Sequence, residues 1–194
     1  KLSAEDLVIA DADKPMCIAG VFGGEYSGVS DGTTNIFLES AYFNSVSVRK
    51  TAKRHTLKTD SSFRFERGTD PNMPLFALKR ASLLIQEVAG GTVSSMVTDI
   101  YPNPVSPFAF EVSYTRVQRL IGKEIPAEEI KAIILALGIA IVKEDGDIIE
   151  VEVPAYKVDV TREVDVIEEV LRIYGYNNIE LKSQILASLN TQEK

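Results

Sequence analysis

Several residue types are scarce or missing in this chain of 194 residues, and each scarcity excludes a class of protein. Cys17 is the single cysteine, so the chain has no internal disulfide framework. No apolar run is long enough to cross a membrane or to act as a signal peptide. These two features predict a cytoplasmic protein that makes no contact with a membrane.

Positive charge is scarce over the chain as a whole. The 21 Lys and Arg residues are outnumbered by 28 Asp and Glu residues, which gives a formal net charge of -7. A nucleic-acid-binding domain normally carries an excess of Lys and Arg over its entire length. Residues 49–68 are the exception, since they hold seven Lys or Arg against Asp60 and Glu66. This segment predicts local contact with phosphate groups, and a solvated basic face is the alternative.

Familiar catalytic and nucleotide-binding patterns are missing as well. The glycine-rich segment 19–28 reads A-G-V-F-G-G-E-Y-S-G, without a Gly-Lys-Ser/Thr ending and without G-x-G-x-x-G. Its glycines either let the backbone approach a ligand closely or simply shape turns. His55 is the only histidine, and no Ser-His-Asp or Cys-His set can be assembled around it. Nothing in the sequence resembles an ATP site.

The spacing of the apolar residues predicts an α+β chain with two domains. Residues 101–107 read Y-P-N-P-V-S-P, which is the composition of a stiff linker, and we place the domain boundary at about residue 105. Within residues 1–105 we predict a hairpin, several strands and two helices. The predicted strands after the hairpin cover residues 35–43, 63–67 and 92–100, and the predicted helices cover residues 45–55 and 74–89.

Residues 106–178 are predicted to form a winged-helix-like domain of the type found in DNA-binding proteins. The prediction rests on a strand, two helices, a hairpin around Asp145-Gly146 and a final helix that is read from Thr161 to Gly175. That shape alone proves nothing about function. Residues 179–194 are expected to form a linker to the next domain.

Four carboxylates crowd the start of the final predicted helix. Asp165, Glu168 and Glu169 are three and four residues apart, so they share a helix face, and Asp159 lies just before the helix. Such a cluster attracts a hard cation such as Mg²⁺, with the remaining ligands supplied by water or by another subunit. A solvated acidic face is the alternative.

Glu39 is a further candidate for a functional residue, since a carboxylate among apolar neighbours either pairs with an arginine or accepts a hydrogen bond from a ligand hydroxyl.

Four segments of the chain closely resemble the beta subunits of bacterial phenylalanyl-tRNA synthetases. They are A-G-V-F-G-G-E-Y-S-G-V, L-E-S-A-Y-F, R-H-T-L-K-T-D-S-S-F-R-F-E-R-G-T-D-P and E-E-V-L-R-I-Y-G-Y-N-N-I, in that order. The resemblance implies that residues 1–105 are the C-terminal part of a domain that edits mischarged tRNA. Residues 106–178 would be the small domain that follows it. Because the chain opens on Lys1, we expect a piece of a longer subunit.

The resemblance also implies roles for individual residues. Glu39 would bind the hydroxyl of a wrongly attached tyrosine, and Thr59 would lie beside the amino acid or the terminal adenosine, so these two are the expected catalytic residues. The other expected substrate-binding residues are Ala19, Gly20, Gly23 and Ser61. The expected tRNA contacts are Arg54, His55 and Arg64.

The partners implied by the resemblance are tRNA(Phe) and the alpha subunit of an α2β2 assembly. Asp159, Asp165, Glu168 and Glu169 match a magnesium site that is shared with the alpha subunit. ATP would be used by the complete enzyme and not bound by this fragment. Two alternatives stay open: a non-catalytic scaffold or RNA-binding module, and a metal-dependent hydrolase centred on residues 159–169.

Overall fold

A computed structural model describes residues 1–180, so most of the predicted linker at 179–194 lies outside the described residues. The chain divides into two compact units. Within the described residues, unit 1 comprises residues 1–106 and 155–158, and unit 2 comprises residues 107–154 and 159–180. No helix in the described part is long and apolar enough to span a membrane.

Unit 1 begins with the predicted hairpin. Strand β1 (Val8–Ala10) pairs antiparallel with strand β2 (Pro15–Ile18). Asp11 shapes the turn between them, because its side chain accepts hydrogen bonds from the backbone N–H groups of Asp13 and Lys14, each at 2.8 Å. This pattern of an Asp side chain bonded to the following backbone is a common way to build a turn.

Helix α1 (Ser45–His55) has the predicted bounds, and helix α2 (Asp60–Phe65) replaces a predicted strand. Thr59 and Ser62 form a capping box at the start of α2, in which each side chain bonds to the backbone of the other residue. The alternation of Phe63 and Phe65 with arginines suggested a strand, and that prediction was wrong. The capping box satisfies the backbone donors at a helix start, so it favours the helix over an unpaired strand.

Helix α3 (Pro74–Ala89) also has the predicted bounds, but no residue in it is buried. Leu84 and Val88, which were expected in its buried stripe, are 40% and 84% exposed. The predicted strands at residues 35–43 and 92–100 are wrong as well, since both segments lack a strand partner in the described chain. Apolar alternation produces a strand only where a neighbouring strand supplies hydrogen bonds.

Unit 2 contains a three-stranded antiparallel sheet and three helices. Its elements are β3 (Phe108–Ser113), α4 (Tyr114–Ile121), α5 (Ala127–Ala136), β4 (Ala140–Asp145), β5 (Ile148–Val153) and α6 (Glu163–Tyr174). Strands β4 and β5 confirm the predicted hairpin around Asp145-Gly146. The strand order is β3-β5-β4, so β3 pairs with the second strand of this hairpin and the sheet has three strands rather than two. Helices and small antiparallel sheets together confirm the α+β class.

Alternation along β5 provides the inner face of the unit 2 sheet. Ile149, Val151 and Val153 are completely buried, while the residues between them face solvent. Val117 of α4, Ile134 of α5 and other aliphatic side chains pack in the same cluster. Helix α6 begins after Arg162 rather than after Thr161, and it ends at Gly175 as predicted.

Candidate functional site

A cleft of about 390 Å³ lies in unit 1. The hairpin, the glycine-rich segment, residues 39–43 and α2 all contribute to its walls. The lining residues are Ile9, Cys17, Ile18, Gly20, Val21, Phe22, Gly23, Glu39, Ser40, Ala41, Phe43, Ser61 and Phe65. Four of the predicted substrate-binding residues, Gly20, Gly23, Glu39 and Ser61, therefore line one cleft although up to 41 positions separate them.

Gly20 allows two aromatic rings to close one side of the cleft. Its φ is +67°, a conformation that side chains with a Cβ disfavour. A Cβ at this position would lie 2.9 Å from Phe43 and 3.3 Å from Phe65. The two rings pack edge to face with centroids 5.0 Å apart. Gly23 differs, because a Cβ there would meet nothing within 4 Å.

Glu39 places a carboxylate among these apolar and aromatic walls. The residue is exposed to solvent, and partial desolvation by the neighbouring groups raises its pKa above the ordinary value of 4.5. No arginine pairs with it in the described part of the chain, so the expected alternative of a structural ion pair is not what this side chain forms. A partly desolvated carboxylate without a protein partner is available to accept a hydrogen bond from a ligand.

Thr59 and Ala19 lie behind the cleft wall rather than on it. The Thr59 hydroxyl donates to the carbonyl of Val21 at 2.6 Å and accepts from the backbone N–H of Ser62 at 3.0 Å. Thr59 thereby connects a lining residue, Val21, to the start of helix α2. Ala19 is 2% exposed, and its N–H donates to the carbonyl of Leu7. The structure therefore gives Thr59 and Ala19 supporting contacts and does not place them on the cleft surface.

Two of the three expected tRNA contacts are held by carboxylates of the same chain. Arg54 forms ion pairs with Glu5 and Asp6, and His55 Nε2 lies 2.6 Å from Asp6 Oδ2. Both side chains therefore have partners within the chain, and their contact with tRNA stays a prediction. Arg64 is exposed and forms no ion pair within the part that the structure describes. Asp6 was missed by sequence reasoning because its partners are 45–49 positions away.

The acidic residues near α6 do not assemble into a metal site within residues 1–180. No group of three or more His, Cys, Asp or Glu residues there is arranged to hold a metal ion. Asp165 accepts from the backbone N–H groups of Thr161 and Arg162, and the Arg162 guanidinium lowers the pKa of Asp165 below its ordinary value. Glu169 forms an ion pair with Arg172 at 2.7 Å. These carboxylates do not fit a resident Mg²⁺ by themselves.

Comparison with known proteins assigns each unit to a domain family. The B3/4 domain family matches residues 1–90, and the tRNA synthetase B5 domain family matches residues 110–176. A solved N-terminal fragment of the phenylalanyl-tRNA synthetase beta subunit from Pyrococcus horikoshii is 27% identical, but its TM-score is only 0.35 over 40% of this chain and 22% of that one.

Phenylalanine–tRNA ligase beta subunits match almost the entire chain. The subunit from Porphyromonas gingivalis is 54% identical over 97% of the chain, and the subunit from Bacteroides fragilis is 52% identical over 99%. The subunit from Geobacter sulfurreducens is 47% identical over 92%. The chain spans about 23% of the length of the first two relatives and 22% of the third. The chain therefore belongs to the family of phenylalanine–tRNA ligase beta subunits, in which it corresponds to the part that contains the B3/4 and B5 domains.

Proposed function

We propose that the cleft of unit 1 is an editing site at which a phenylalanine–tRNA ligase hydrolyses tyrosine that has been wrongly attached to tRNA(Phe). The observation that carries this proposal is Glu39, an unpaired carboxylate in a cleft with aromatic walls. The relatives are named phenylalanine–tRNA ligase beta subunits, so we propose that the complete enzyme attaches phenylalanine to its tRNA. We propose further that it uses ATP for this reaction and works in the cytoplasm.

A second site of this kind answers a physical limit on selectivity. An apolar pocket built for phenylalanine cannot strongly reject an analogue that only adds a hydroxyl group. A separate site that binds the hydroxyl can make the distinction afterwards. When phenylalanine occupies such a site, the buried polar group is left without a partner, which penalises the correct product.

The cleft residues divide this task between them. Phe43 and Phe65 provide the aromatic wall against which the ring of the amino acid packs, and Gly20 lets these two rings approach its backbone closely. Glu39 accepts the hydrogen bond from the tyrosine hydroxyl, and Ser61 adds a second polar group to the lining. Thr59 supports the wall through Val21 and α2, and we propose this role in place of direct substrate contact.

Charge state sets the pH range of this selectivity. The Glu39 carboxylate is the stronger acceptor when it is ionised. Since partial desolvation raises its pKa, the carboxylate begins to take up a proton at a higher pH than a fully solvated glutamate does. We therefore expect tyrosine selectivity to be lost as the pH falls toward that raised pKa, and to be complete at neutral pH.

The acidic residues of unit 2 support a contact with the alpha subunit of an α2β2 enzyme. Asp159 and Glu168 are exposed, whereas Asp165 is engaged at the helix start. We propose that a Mg²⁺ at this surface is completed by ligands from the alpha subunit, with a structural role at the contact. Addition of Mg²⁺ should then tighten association of the two subunits, and Glu168→Gln should weaken that effect.

Deacylation of Tyr-tRNA(Phe) by the complete enzyme tests the editing proposal. Glu39→Gln should lower the preference for Tyr-tRNA(Phe) over Phe-tRNA(Phe) by about tenfold or more, as expected for loss of a charge-assisted hydrogen bond. Glu25→Gln is the matched control, since Glu25 is exposed and lies outside the cleft lining. Unchanged selective clearance in Glu39→Gln and Glu39→Ala would contradict the proposal and favour a scaffold that binds tRNA without hydrolysing it.

A further inference from the structure

Asp6 is a carboxylate whose side chain is completely shielded from solvent. It accepts hydrogen bonds from the backbone N–H of Ser3 at 2.7 Å, from Thr51 Oγ1 at 3.0 Å, from His55 Nε2 at 2.6 Å and from the Arg54 guanidinium. We call Asp6 together with Thr51, Arg54 and His55 the Asp6 anchor. The hydrogen bond from His55 is the largest of the contributions that hold the pKa of Asp6 well below its usual range.

A buried charge is tolerated only when its hydrogen-bonding capacity is filled. The two oxygens of Asp6 receive four donors, three of which come from side chains of helix α1. Charge-assisted bonds of this kind are short and directional, so they set the distance between the groups that they join. The Asp6 anchor therefore fixes the N-terminal segment against the last two turns of α1.

One side of the Asp6 anchor leads directly to the hairpin wall of the cleft. Leu7 follows Asp6, and its carbonyl accepts from the N–H of Ala19 at 3.0 Å. Strand β1 then begins at Val8 and places Ile9 in the cleft lining, opposite Cys17 of β2, which also lines the cleft. A displacement of Asp6 would consequently move this wall.

Helix α1 connects the Asp6 anchor to the aromatic wall of the cleft, which is formed by Phe43 and Phe65. Val48 of α1 is 2% exposed and packs in one cluster with Val21, Phe43 and Phe65. Its side chain lies 3.1 Å from the position that a Cβ on Gly20 would take, so Val48 and Gly20 are closely packed. Helix α1 thus supports the aromatic wall while its C-terminal turns hold Asp6.

We infer that Asp6 is a positioning residue of the cleft, which holds the hairpin wall against α1 and so sets the width available to the side chain of the bound amino acid. The inference rests on the proposed editing function. Asp6 touches no substrate, and it acts through the backbone of β1 and through α1. Glu5 adds only an exposed bond to Arg54, since 74% of its side chain is accessible.

Discrimination by the complete enzyme, measured well below its unfolding temperature, tests this role. The quantity is kcat/KM for deacylation of Tyr-tRNA(Phe) divided by kcat/KM for Phe-tRNA(Phe). A purely structural role would reduce the amount of active enzyme and scale both values equally, leaving the ratio unchanged. A displaced wall changes the ratio, and we expect Asp6→Asn, which turns an amide donor toward the existing donors, to lower it about tenfold.

Asp13→Asn is the matched control, because it makes the same change at an exposed position of the hairpin turn. If Asp6→Asn does not yield folded enzyme, His55→Ala takes its place, since it removes one bond and leaves the other three. An unchanged ratio in the folded variant would overturn the inference while leaving the editing proposal intact. A wild-type enzyme that clears both tRNAs equally would overturn the editing proposal and the inference with it.

Discussion

The two units of the chain distribute their apolar residues in opposite ways. Unit 2 buries valine and isoleucine side chains from its sheet and all three helices in one cluster. In unit 1 the buried cluster consists of Val21, Val48 and Ala52, supported by partly buried neighbours. Large apolar side chains of unit 1 remain accessible, including Phe76 at 64%, Met96 at 93% and Ile100 at 81%.

This difference indicates that the packing of unit 2 serves stability, whereas the open packing of unit 1 serves ligand binding. No described residue of the closely packed unit 2 lines the cleft, whereas unit 1 leaves space between its elements and places Glu39 beside that space. The elements of unit 1 are held in position by polar contacts instead, namely the capping box of α2 and the Asp6 anchor. Such contacts hold a small set of groups in position without filling the volume that a substrate requires.

We expect the largest effect when the two units are produced as separate fragments. A fragment of residues 107–180 should unfold cooperatively, because it contains its own core. A fragment of residues 1–106 should bind a hydrophobic dye and lack a sharp thermal transition, since its buried cluster is small. Circular dichroism melts and dye fluorescence measure both properties. Equal cooperativity in the two fragments would remove the contrast.

Core truncation should be more damaging in unit 2 than in unit 1. Ile134→Ala leaves a cavity at a completely buried position, and we expect it to lower the free energy of unfolding of that unit by about 4 kcal/mol. Val48→Ala removes fewer atoms from a smaller cluster, with an expected loss of about 2 kcal/mol. Urea titration of the whole chain, followed by probes in each unit, compares them. A larger loss for Val48→Ala would reverse the comparison.

A pair of glycines tests how closely the walls of the unit 1 cleft approach each other. Gly20→Ala combines a disfavoured positive φ with a 2.9 Å contact to Phe43, so we expect a loss of about 2 kcal/mol. Gly23→Ala is the control, because a Cβ there meets no atom within 4 Å. Thermal unfolding and Tyr-tRNA(Phe) deacylation should both change in Gly20→Ala alone. Similar behaviour of the two variants would mean that the close approach has no effect.

Loss of the α2 cap should have a smaller effect. Thr59→Val keeps the shape of the side chain but removes the hydroxyl that bonds Val21 and Ser62, for an expected loss of about 1 kcal/mol. Thr59→Ser retains the hydroxyl and should stay close to wild type. Unfolding midpoints distinguish the supporting role from direct catalysis, since a purely catalytic Thr59 would lose deacylation in Thr59→Val without any loss of stability.

Acidification should destabilise unit 1 because it protonates Asp6, and this loss of stability should be smallest near neutral pH. Because the folded-state pKa of Asp6 lies below the ordinary value of 3.8, its ionised form stabilises the fold fully above about pH 5, and that contribution is lost as the pH falls through the folded-state pKa. The stability difference between wild type and Asp6→Asn should therefore shrink on acidification. Urea midpoints from pH 7 to pH 3 measure it. A difference that stays constant would show that Asp6 is not the group involved.

Local sequence signals predicted elements well where the signal was strong. Helices α1 and α3 have the predicted bounds, since a capping residue or a proline marks their starts and a glycine follows α3. Helix α2 was missed because the alternation of Phe and Arg residues was interpreted as a strand. Residues 35–43 were predicted as a strand from alternation, but alternation does not reveal whether a partner strand exists.

The candidate site was predicted only in part, for a related reason. Glu39, Gly20, Gly23 and Ser61 were selected from motifs, and the structure places them around one cleft. Arg54 and His55 were selected as phosphate contacts because they lie in a basic segment. Their partner within the chain, Asp6, could not be found from spacing, since hydrogen bonds across nearly fifty positions depend on how the chain folds back.

The amino-acid sequence by itself determined the bounds of helices α1 and α3, the alternating strand of unit 2, the net charge and the family to which the chain belongs. These properties depend on neighbouring residues or on residue identity alone. Tertiary structure decided which carboxylate is buried, which arginines are neutralised and which wall residues enclose the cleft. The reason is that burial and hydrogen bonding depend on atoms brought together from distant positions. The free energies of these interactions are therefore set by the folded arrangement and not by neighbouring residues in the sequence.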